Sequence, residues 1–183
     1  MVLAGTLVVS LAGCSADEDE PERELGPRAT CVSADPQGEL ILVPGTLQAG
    51  SRPWELTRVE LRGARNLEVV EASTVGFTGQ ASAKGIVLDY PPLKNAGIAD
   101  SYADWDERLG LPGTVTAADG LQAMLVAVRL SEPTEAGRLT GVTLDYSEGG
   151  EAHTLDWTHQ VLVEPPGEVC TVDDVAGTRE WTG

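Results

Sequence analysis

The sequence predicts an all-β protein built as an antiparallel β-sandwich, and three observations support that class. Short segments alternate apolar and polar residues, which is typical of strands with one buried face. Turns rich in Gly and Pro separate these segments, since the 183-residue chain holds 21 Gly and 11 Pro. One segment, 121–130, is apolar on both faces and indicates a central strand covered from both sides. About seven or eight such strands fit two packed sheets.

The first predicted strands lie in the amino-terminal half of the chain. Residues 39–44 form a short apolar run that ends in a Pro-Gly turn. In residues 54–62, Thr57, Val59 and Leu61 alternate with charged residues, so they are expected to face the core. The same alternation predicts strands at 66–72, with Leu67 and Val69 on one side, and at 85–90.

A hairpin is predicted in the carboxyl-terminal half. Residues 139–146 and the run from 153 alternate on either side of a Ser-Glu-Gly-Gly-Glu turn, where Gly supplies the positive φ that a tight turn needs. Residues 160–164 continue the second strand. The residues of the first strand expected to face inward are Val142, Leu144 and Tyr146, and His153, Leu155 and Trp157 alternate along the second strand.

One short helix is predicted inside an inserted loop, residues 91–120. Residues 101–109 begin with Ser101 and Asp104 in the spacing of a capping box, and Gly110 follows as a carboxyl-terminal stop. A connection of this length between two strands is often either functional or mobile.

The predicted hairpin resembles the last hairpin of bacterial immunoglobulin-like domains. The resemblance rests on Gly-Val-Thr-Leu-Asp-Tyr at 141–146 and the Gly turn after it, and it covers about 30 residues. It implies an Ig-like sandwich. The family's core tryptophan between two sheet cysteines is not matched cleanly, and the two cysteines available here lie near the ends of the predicted domain.

The first sixteen residues carry no charge and contain an apolar run of roughly a dozen residues, which suits a signal peptide but not a spanning helix of ~20 residues. The run ends in Leu11, Ala12, Gly13 and Cys14, and an acidic stretch follows. This pattern resembles the lipobox of bacterial lipoprotein precursors. The resemblance implies cleavage before Cys14, a diacylglycerol and palmitate on that residue, and a protein anchored by lipid on the extracytoplasmic face of the cell membrane.

Four regions follow from these patterns. Residues 1–13 are expected to be the lipoprotein signal peptide, 14–30 an acidic flexible stalk, 31–170 the β-sandwich domain and 171–183 a polar tail. The formal net charge is −17, and such an acidic surface repels nucleic-acid phosphates and anionic lipid headgroups. A nucleic-acid partner is therefore not expected.

The chain has three cysteines. Once Cys14 is assigned to lipid, Cys31 and Cys170 remain as an even pair in a compartment where disulfides persist. A bond between them would close a loop of ~140 residues, which the chain-entropy model values at ~5 kcal/mol. Two unrelated free thiols are the alternative.

Two groups of side chains suggest a metal site without meeting its geometry. On one strand His153 and His159 share a face but lie ~20 Å apart, while Asp156 points the other way, so exposed hairpin residues are the favoured interpretation. A second group is acidic and lacks the spacing and central glycine of a calcium loop, so acid at a helix amino terminus is favoured there. Its members are Asp100, Asp104, Asp106 and Glu107.

No nucleophile motif is present, since the chain has neither a Gly-x-Ser-x-Gly elbow nor a Ser-x-x-Lys pair. The sequence therefore predicts a non-enzymatic binding or structural module that needs no metal and no cofactor. Its expected partners are the membrane, through the lipid, and another envelope protein or a cell-wall component. Tyr102 and Trp105 in the predicted helix either cap the core or form a recognition patch. The alternative function is a small-ligand or substrate-binding lipoprotein that uses the 91–120 insertion.

Overall fold

Two facing β-sheets make up the part of the chain that the computed structural model describes, residues 29–77, 85–87 and 105–170. Short 3-10 turns at Trp105–Glu107 and Ala117–Asp119 are the helical elements of those ranges. The strands are β1 (Ala29–Ser33), β2 (Glu39–Val43), β3 (Thr46–Leu47), β4 (Trp54–Arg62), β5 (Leu67–Gly76), β6 (Gly85–Val87), β7 (Leu109–Gly110), β8 (Gly113–Val115), β9 (Gln122–Leu130), β10 (Gly137–Glu148) and β11 (Glu151–Glu164).

The first sheet has the order β1-β11-β10-β4-β8, and the second has the order β6-β2-β9-β5-β7, with β3 also pairing with β9. All of these pairs are antiparallel except β1 with β11, which is parallel and runs from Ala29 opposite Gln160 to Ser33 opposite Glu164. This arrangement confirms the predicted all-β sandwich. The immunoglobulin-like resemblance stays a prediction.

The core lies between the sheets, where fully buried side chains such as Leu40, Val126 and Leu144 meet. Strand β9 is covered on both faces: Val126 points into the core, and Leu125 and Ala127, which point the other way, are each only 4% exposed. The prediction of a central strand buried on both sides is confirmed. Apolar residues suit both faces because both faces of β9 are buried. The strand also pairs with neighbouring strands along both of its edges.

One predicted inward residue on β4 faces solvent. The pairing of β4 with β10 shifts register between Asp145 and Tyr146, so Thr57 is an extra residue that forms a β-bulge. Leu56 is therefore buried in the place expected for Thr57, whereas Val59 packs against the core as predicted. The Thr57 hydroxyl instead donates a hydrogen bond to the Asp145 carbonyl at 2.9 Å.

A second bulge lies on β5, where the pairing with β9 shifts register between Val69 and Glu71. Leu67 and Val69 precede the bulge and lie opposite Leu130 and Val128, so they share one side of the strand as predicted. Leu67 packs against the core, whereas Val69 is 38% exposed. The strand also continues to Gly76, beyond the predicted end, and its most buried residues are 73–75.

The described part of the predicted helix at 101–109 is not an α-helix. Residues 101–104 lie outside the described residues, Trp105–Glu107 form a 3-10 turn, and Leu109–Gly110 form strand β7 beside β5. The Arg108 guanidinium also binds the Glu71 carboxylate at 2.9 Å. Gly110 is therefore a strand residue rather than a helix stop, because pairing with β5 satisfies backbone groups that an α-helix would have used internally.

A capping box appears instead in the second 3-10 turn. The Thr116 hydroxyl accepts from the Ala118 amide at 3.3 Å, and the Asp119 carboxylate accepts from the Thr116 amide at 2.6 Å. Hydrogen bonds from the Thr116 backbone and hydroxyl lower the pKa of Asp119 below its ordinary 3.8. This capping box fixes the turn that leads into β9.

Asn66 holds the β4–β5 turn against the loop between β9 and β10. Its φ is 52°, and its side chain donates to the carbonyls of Glu132 and Glu135 and accepts from the Glu132 amide at 2.7 Å. We expect Asn66→Ala to lower the free energy of unfolding by about 2 to 4 kcal/mol, through the lost hydrogen bonds and the unfavourable positive φ. Asn66→Gly, which tolerates that φ, should lose less. Urea unfolding followed by tryptophan fluorescence tests this, and equal losses for both variants would contradict the role of φ.

Candidate functional site

Three stacked rings cross neighbouring strands of the first sheet, and we call them the aromatic row: Trp54, Tyr146 and His153. The ring centroids of Trp54 and Tyr146 are 4.5 Å apart, and those of Tyr146 and His153 are 5.2 Å apart. The planes meet at 28° and 27°, so both pairs are stacked. The register explains the row, because Tyr146 lies directly opposite His153 and diagonally opposite Trp54.

The aromatic row occupies the inward face of the sheet close to the β10–β11 turn. All three rings are half-buried, and Trp54 and Tyr146 pack against the core. The indole nitrogen of Trp54 is buried without a hydrogen-bond partner. A buried donor of this kind is uncommon in folded proteins, so this position is one where a polar acceptor would be stabilised.

Trp157 extends the apolar surface further along β11. A Cβ at Gly45 would overlap the indole of Trp157, so only glycine lets the turn between β2 and β3 approach this ring. The Gly45 carbonyl in turn accepts from the Met124 amide at 3.0 Å. Trp157 on the first sheet therefore packs against the β2–β3 turn of the second sheet.

The opposite, outward face of the same strands is polar. The Asp156 carboxylate accepts from the Thr143 hydroxyl and lies 3.7 Å from the Arg62 guanidinium, and Thr154 donates to Asp145 at 3.1 Å. These side chains are hydrogen-bonded to their cross-strand neighbours. They stabilise the sheet and present an exposed face of hydroxyl and carboxylate groups.

The residues weighed as metal ligands do not come together. His153 stacks on Tyr146, Asp156 lies on the outward face, and the His159 Nε2 makes a 2.9 Å hydrogen bond with the Thr30 hydroxyl. Of the acidic group, Asp106 and Glu107 are exposed on the 3-10 turn. Asp100 and Asp104 lie outside the described residues. Among the described residues, no group of three His, Cys, Asp or Glu side chains could hold a metal ion.

The predicted recognition patch lies largely outside the described residues. Tyr102 is not described, and Trp105 begins the 3-10 turn without a described side chain. The patch and the small-ligand alternative that depends on it stay predictions. The aromatic row was not predicted as a unit. Alternation placed Tyr146 on the inward face, but His153 was interpreted as an exposed hairpin residue, and the contact with Trp54 depends on the pairing of β4 with β10, which the sequence does not specify locally.

Cys31 and Cys170 form a disulfide, which confirms the predicted pairing. Their Cα atoms are 5.8 Å apart and their positions in the chain differ by 139. Cys31 lies on β1 opposite Leu162 of β11, so the bond fastens the segment after β11 to the edge of the first sheet. The residues of the predicted lipobox, Leu11, Ala12, Gly13 and Cys14, lie outside the described residues.

A groove lies at the far end of the first sheet, away from the β10–β11 turn. Its volume is about 440 Å³, which is within the range of small-molecule pockets. Its lining residues come from the β9–β10 loop and the segment after β11: Pro133, Thr134, Ala136, Glu164, Pro165, Pro166 and Glu168. Three prolines and two carboxylates give it no convergent set of polar groups for a small ligand.

No protein-family model matches this chain, and no curated protein matches it either. Within the described ranges, no helix is long and apolar enough to cross a bilayer.

The aromatic row can be tested by removing its central ring. We expect Tyr146→Leu to lower the free energy of unfolding by about 1 to 2 kcal/mol, because both ring contacts are lost while most of the buried apolar area is kept. The environment of Trp54 should change as well, which its fluorescence spectrum reports. Tyr146→Phe keeps both stacks and should stay within about 0.5 kcal/mol of the natural protein. A loss as large for Phe as for Leu would show that the hydroxyl, rather than the stack, is what matters.

Proposed function

We propose that the protein is an exported lipoprotein, held on the extracytoplasmic face of the cell membrane by lipid on Cys14. Its β-sandwich acts there as a non-enzymatic binding module for another envelope protein or a cell-wall component.

The anchoring proposal depends mainly on which of the three cysteines form the disulfide. The disulfide takes up Cys31 and Cys170, so Cys14 is the one cysteine of the chain left for other chemistry. It stands at the end of an apolar run, after Leu11, Ala12 and Gly13, in the lipobox pattern. Disulfides persist in exported proteins, so the pair Cys31–Cys170 and the lipobox favour the same compartment. Two acyl chains at ~0.8 kcal/mol per buried methylene are enough for a stable anchor.

The surfaces of the sandwich support binding rather than catalysis. The polar side chains of the outward face are engaged with one another, as Thr143 is with Asp156 and Thr154 with Asp145. The aromatic row is half-buried and offers ring surfaces, which are contact groups and not reacting groups. The net charge of −17 favours basic partners over phosphates.

The anchor is tested in the native host by incorporation of a labelled fatty acid. We expect label and membrane attachment in the natural protein, and loss of both in Cys14→Ala. The matched control is the double variant Cys31→Ser with Cys170→Ser, which should keep the label because its lipobox is intact. Membrane attachment of unlabelled Cys14→Ala at the natural level would overturn the lipoprotein proposal.

A further inference from the structure

Strand β11 continues well beyond its neighbour β1. β11 spans Glu151–Glu164, but β1 pairs only with its last five residues, Gln160 to Glu164. Residues 151–158 pair with β10 on one side. On the other side, no strand of the described ranges pairs with them. We call residues 151–158 of β11 the free edge.

The backbone groups of the free edge can be assigned from two hydrogen bonds. The Asp145 carbonyl of β10 accepts from Thr57, so it points toward β4 and away from β11. Its partner Thr154 therefore belongs to a pair without mutual hydrogen bonds, and the Thr154 amide and carbonyl point outward to the free edge. Conversely, the Trp157 carbonyl accepts from Arg62 at 3.2 Å, so it points toward β10. By alternation, the outward-pointing backbones are those of Ala152, Thr154, Asp156 and Thr158.

The free edge lacks three of the common protections against an added strand. Exposed edges are often blocked by proline, by charged side chains, above all lysine, or by a bulge. Residues 151–158 contain neither proline nor lysine, and their register with β10 is regular, since the shift in register comes only after Thr158. The charged residues along it, Glu151 and Asp156, are both acidic and exposed.

The two faces of the free edge differ in chemistry. On the outward face, Thr154, Asp156 and Thr158 are exposed and polar. On the inward face, Leu155 and Trp157 are half-buried and pack against the core. A strand added here would meet a polar, acidic surface with one set of alternate side chains and an apolar surface with the other.

We propose that the free edge binds an extended segment of a partner protein, which adds to the first sheet as a further strand. The segment carries basic residues opposite Asp156 and the outward face, and apolar residues toward Leu155 and Trp157. This inference rests on the binding role proposed above and names its surface and the chemistry of its partner. It does not depend on the lipid.

Charge favours a basic partner at the free edge over two acidic alternatives, which are the chain's own residues 17–24 and a second copy of the protein. Residues 17–24 hold six acidic residues and a single arginine, so they would repel the acidic edge. A second copy of the protein would bring the same edge and the same net charge of −17. Like charges on opposing strands are unfavourable, whereas Lys or Arg opposite Asp156 is favourable.

The test uses synthetic peptides as long as the free edge, one alternating Lys with Val and one alternating Glu with Val. Fluorescence anisotropy measures their binding to the lipid-free natural protein. The Lys-Val peptide is expected to bind and the Glu-Val peptide to bind at least about tenfold more weakly. Equal binding of the two peptides, or no binding of the Lys-Val peptide, would overturn the proposal.

A matched pair of variants separates strand addition from simple charge attraction. Thr154→Pro removes an amide that points to the free edge and leaves the hydrogen bonds to β10 in place, as proline does at sheet edges. Thr154→Val keeps that amide, and both variants lose the same hydroxyl bond to Asp145. We expect about tenfold weaker peptide binding for Thr154→Pro and no more than about a twofold change for Thr154→Val. Equal binding by the two variants would show that the peptide does not form a strand.

Amide hydrogen exchange gives an independent measurement. Without peptide, the amides of 152, 154, 156 and 158 should exchange fast while their odd-numbered neighbours are protected by β10. With the Lys-Val peptide, the even-numbered amides should become protected. Protection of the even-numbered amides already in the free protein would mean that the chain's own residues occupy the edge, which would overturn the partner proposal. If the peptide did not bind but Cys14 still carried the fatty-acid label, the partner proposal would fail and the proposal of a lipid anchor would not.

Discussion

Replacing both Cys31 and Cys170 with serine is expected to lower the free energy of unfolding by about 2 to 5 kcal/mol. The bond closes nearly the whole folded domain into one loop, with a sequence separation of 139. Opening so long a loop gives the unfolded chain more conformational freedom than opening a short one. Urea unfolding of the natural protein with and without reductant should reproduce the difference seen in the double variant.

The control for this prediction is Cys14→Ser, which changes a cysteine that takes no part in the bond. Its free energy of unfolding should match that of the natural protein, and reductant should still destabilise it. A disulfide variant as stable as the natural protein would show that the pairing of β1 with β11 alone holds the chain end in place.

Truncating Leu144 should have a comparable effect. Leu144 is fully buried on β10, the central strand of the first sheet, and lies opposite Val59 on β4 and Leu155 on β11. Leu144→Ala removes buried apolar volume that three packed strands cannot readily refill. We expect a loss of about 2 to 5 kcal/mol in the free energy of unfolding, measured in urea.

Thr143→Ala is the matched control, one residue earlier on the same strand and on the opposite face. Its hydroxyl donates to Asp156 on the exposed surface, so its loss should be below about 1 kcal/mol. If Thr143→Ala were as destabilising as Leu144→Ala, the packing between the two sheets would not be what stabilises the fold.

The strands and the central position of β9 could be predicted because they depend on local alternation. Residues 121–130 are apolar on both faces wherever they are placed, and β9 is indeed covered on both. The inward positions of Val142, Leu144 and Tyr146 follow from the same period of two. The disulfide could be predicted because assigning Cys14 to a predicted lipobox left Cys31 and Cys170 as an even pair.

The bulges and the short helical turn could not be predicted, because each depends on a partner strand. Thr57 is predicted to face inward, and only the register shift between β4 and β10 makes it a bulge residue. The shift between β5 and β9 comes after Val69 and changes which later residues, such as Ala72, pack against the core. A shift of one residue in register moves every later side chain to the other face of the sheet. The local sequence contains no pattern that predicts where such a shift occurs. At the end of the predicted helix 101–109, Leu109 instead pairs with β5 as part of strand β7.

The candidate site was predicted only in part for the same reason. Alternation put Tyr146 on the inward face, but its stacking with His153 depends on the register of the hairpin, and Trp54 joins them through a contact between residues far apart in the chain. The free edge is still harder to predict, since it is defined by where β1 stops pairing with β11. The lengths of β1 and β11 cannot be predicted from the local alternation of residues.

The disulfide has a consequence for the domain under mechanical load. Tension applied between the chain before Cys31 and the chain beyond Cys170 enters at one member of the bond and leaves at the other, across Cα atoms 5.8 Å apart. The covalent bond carries that force, so the sandwich strands between the two cysteines are not stretched. Reduction would place the same force on the parallel β1–β11 pair, where the hydrogen bonds of five residues would have to resist it.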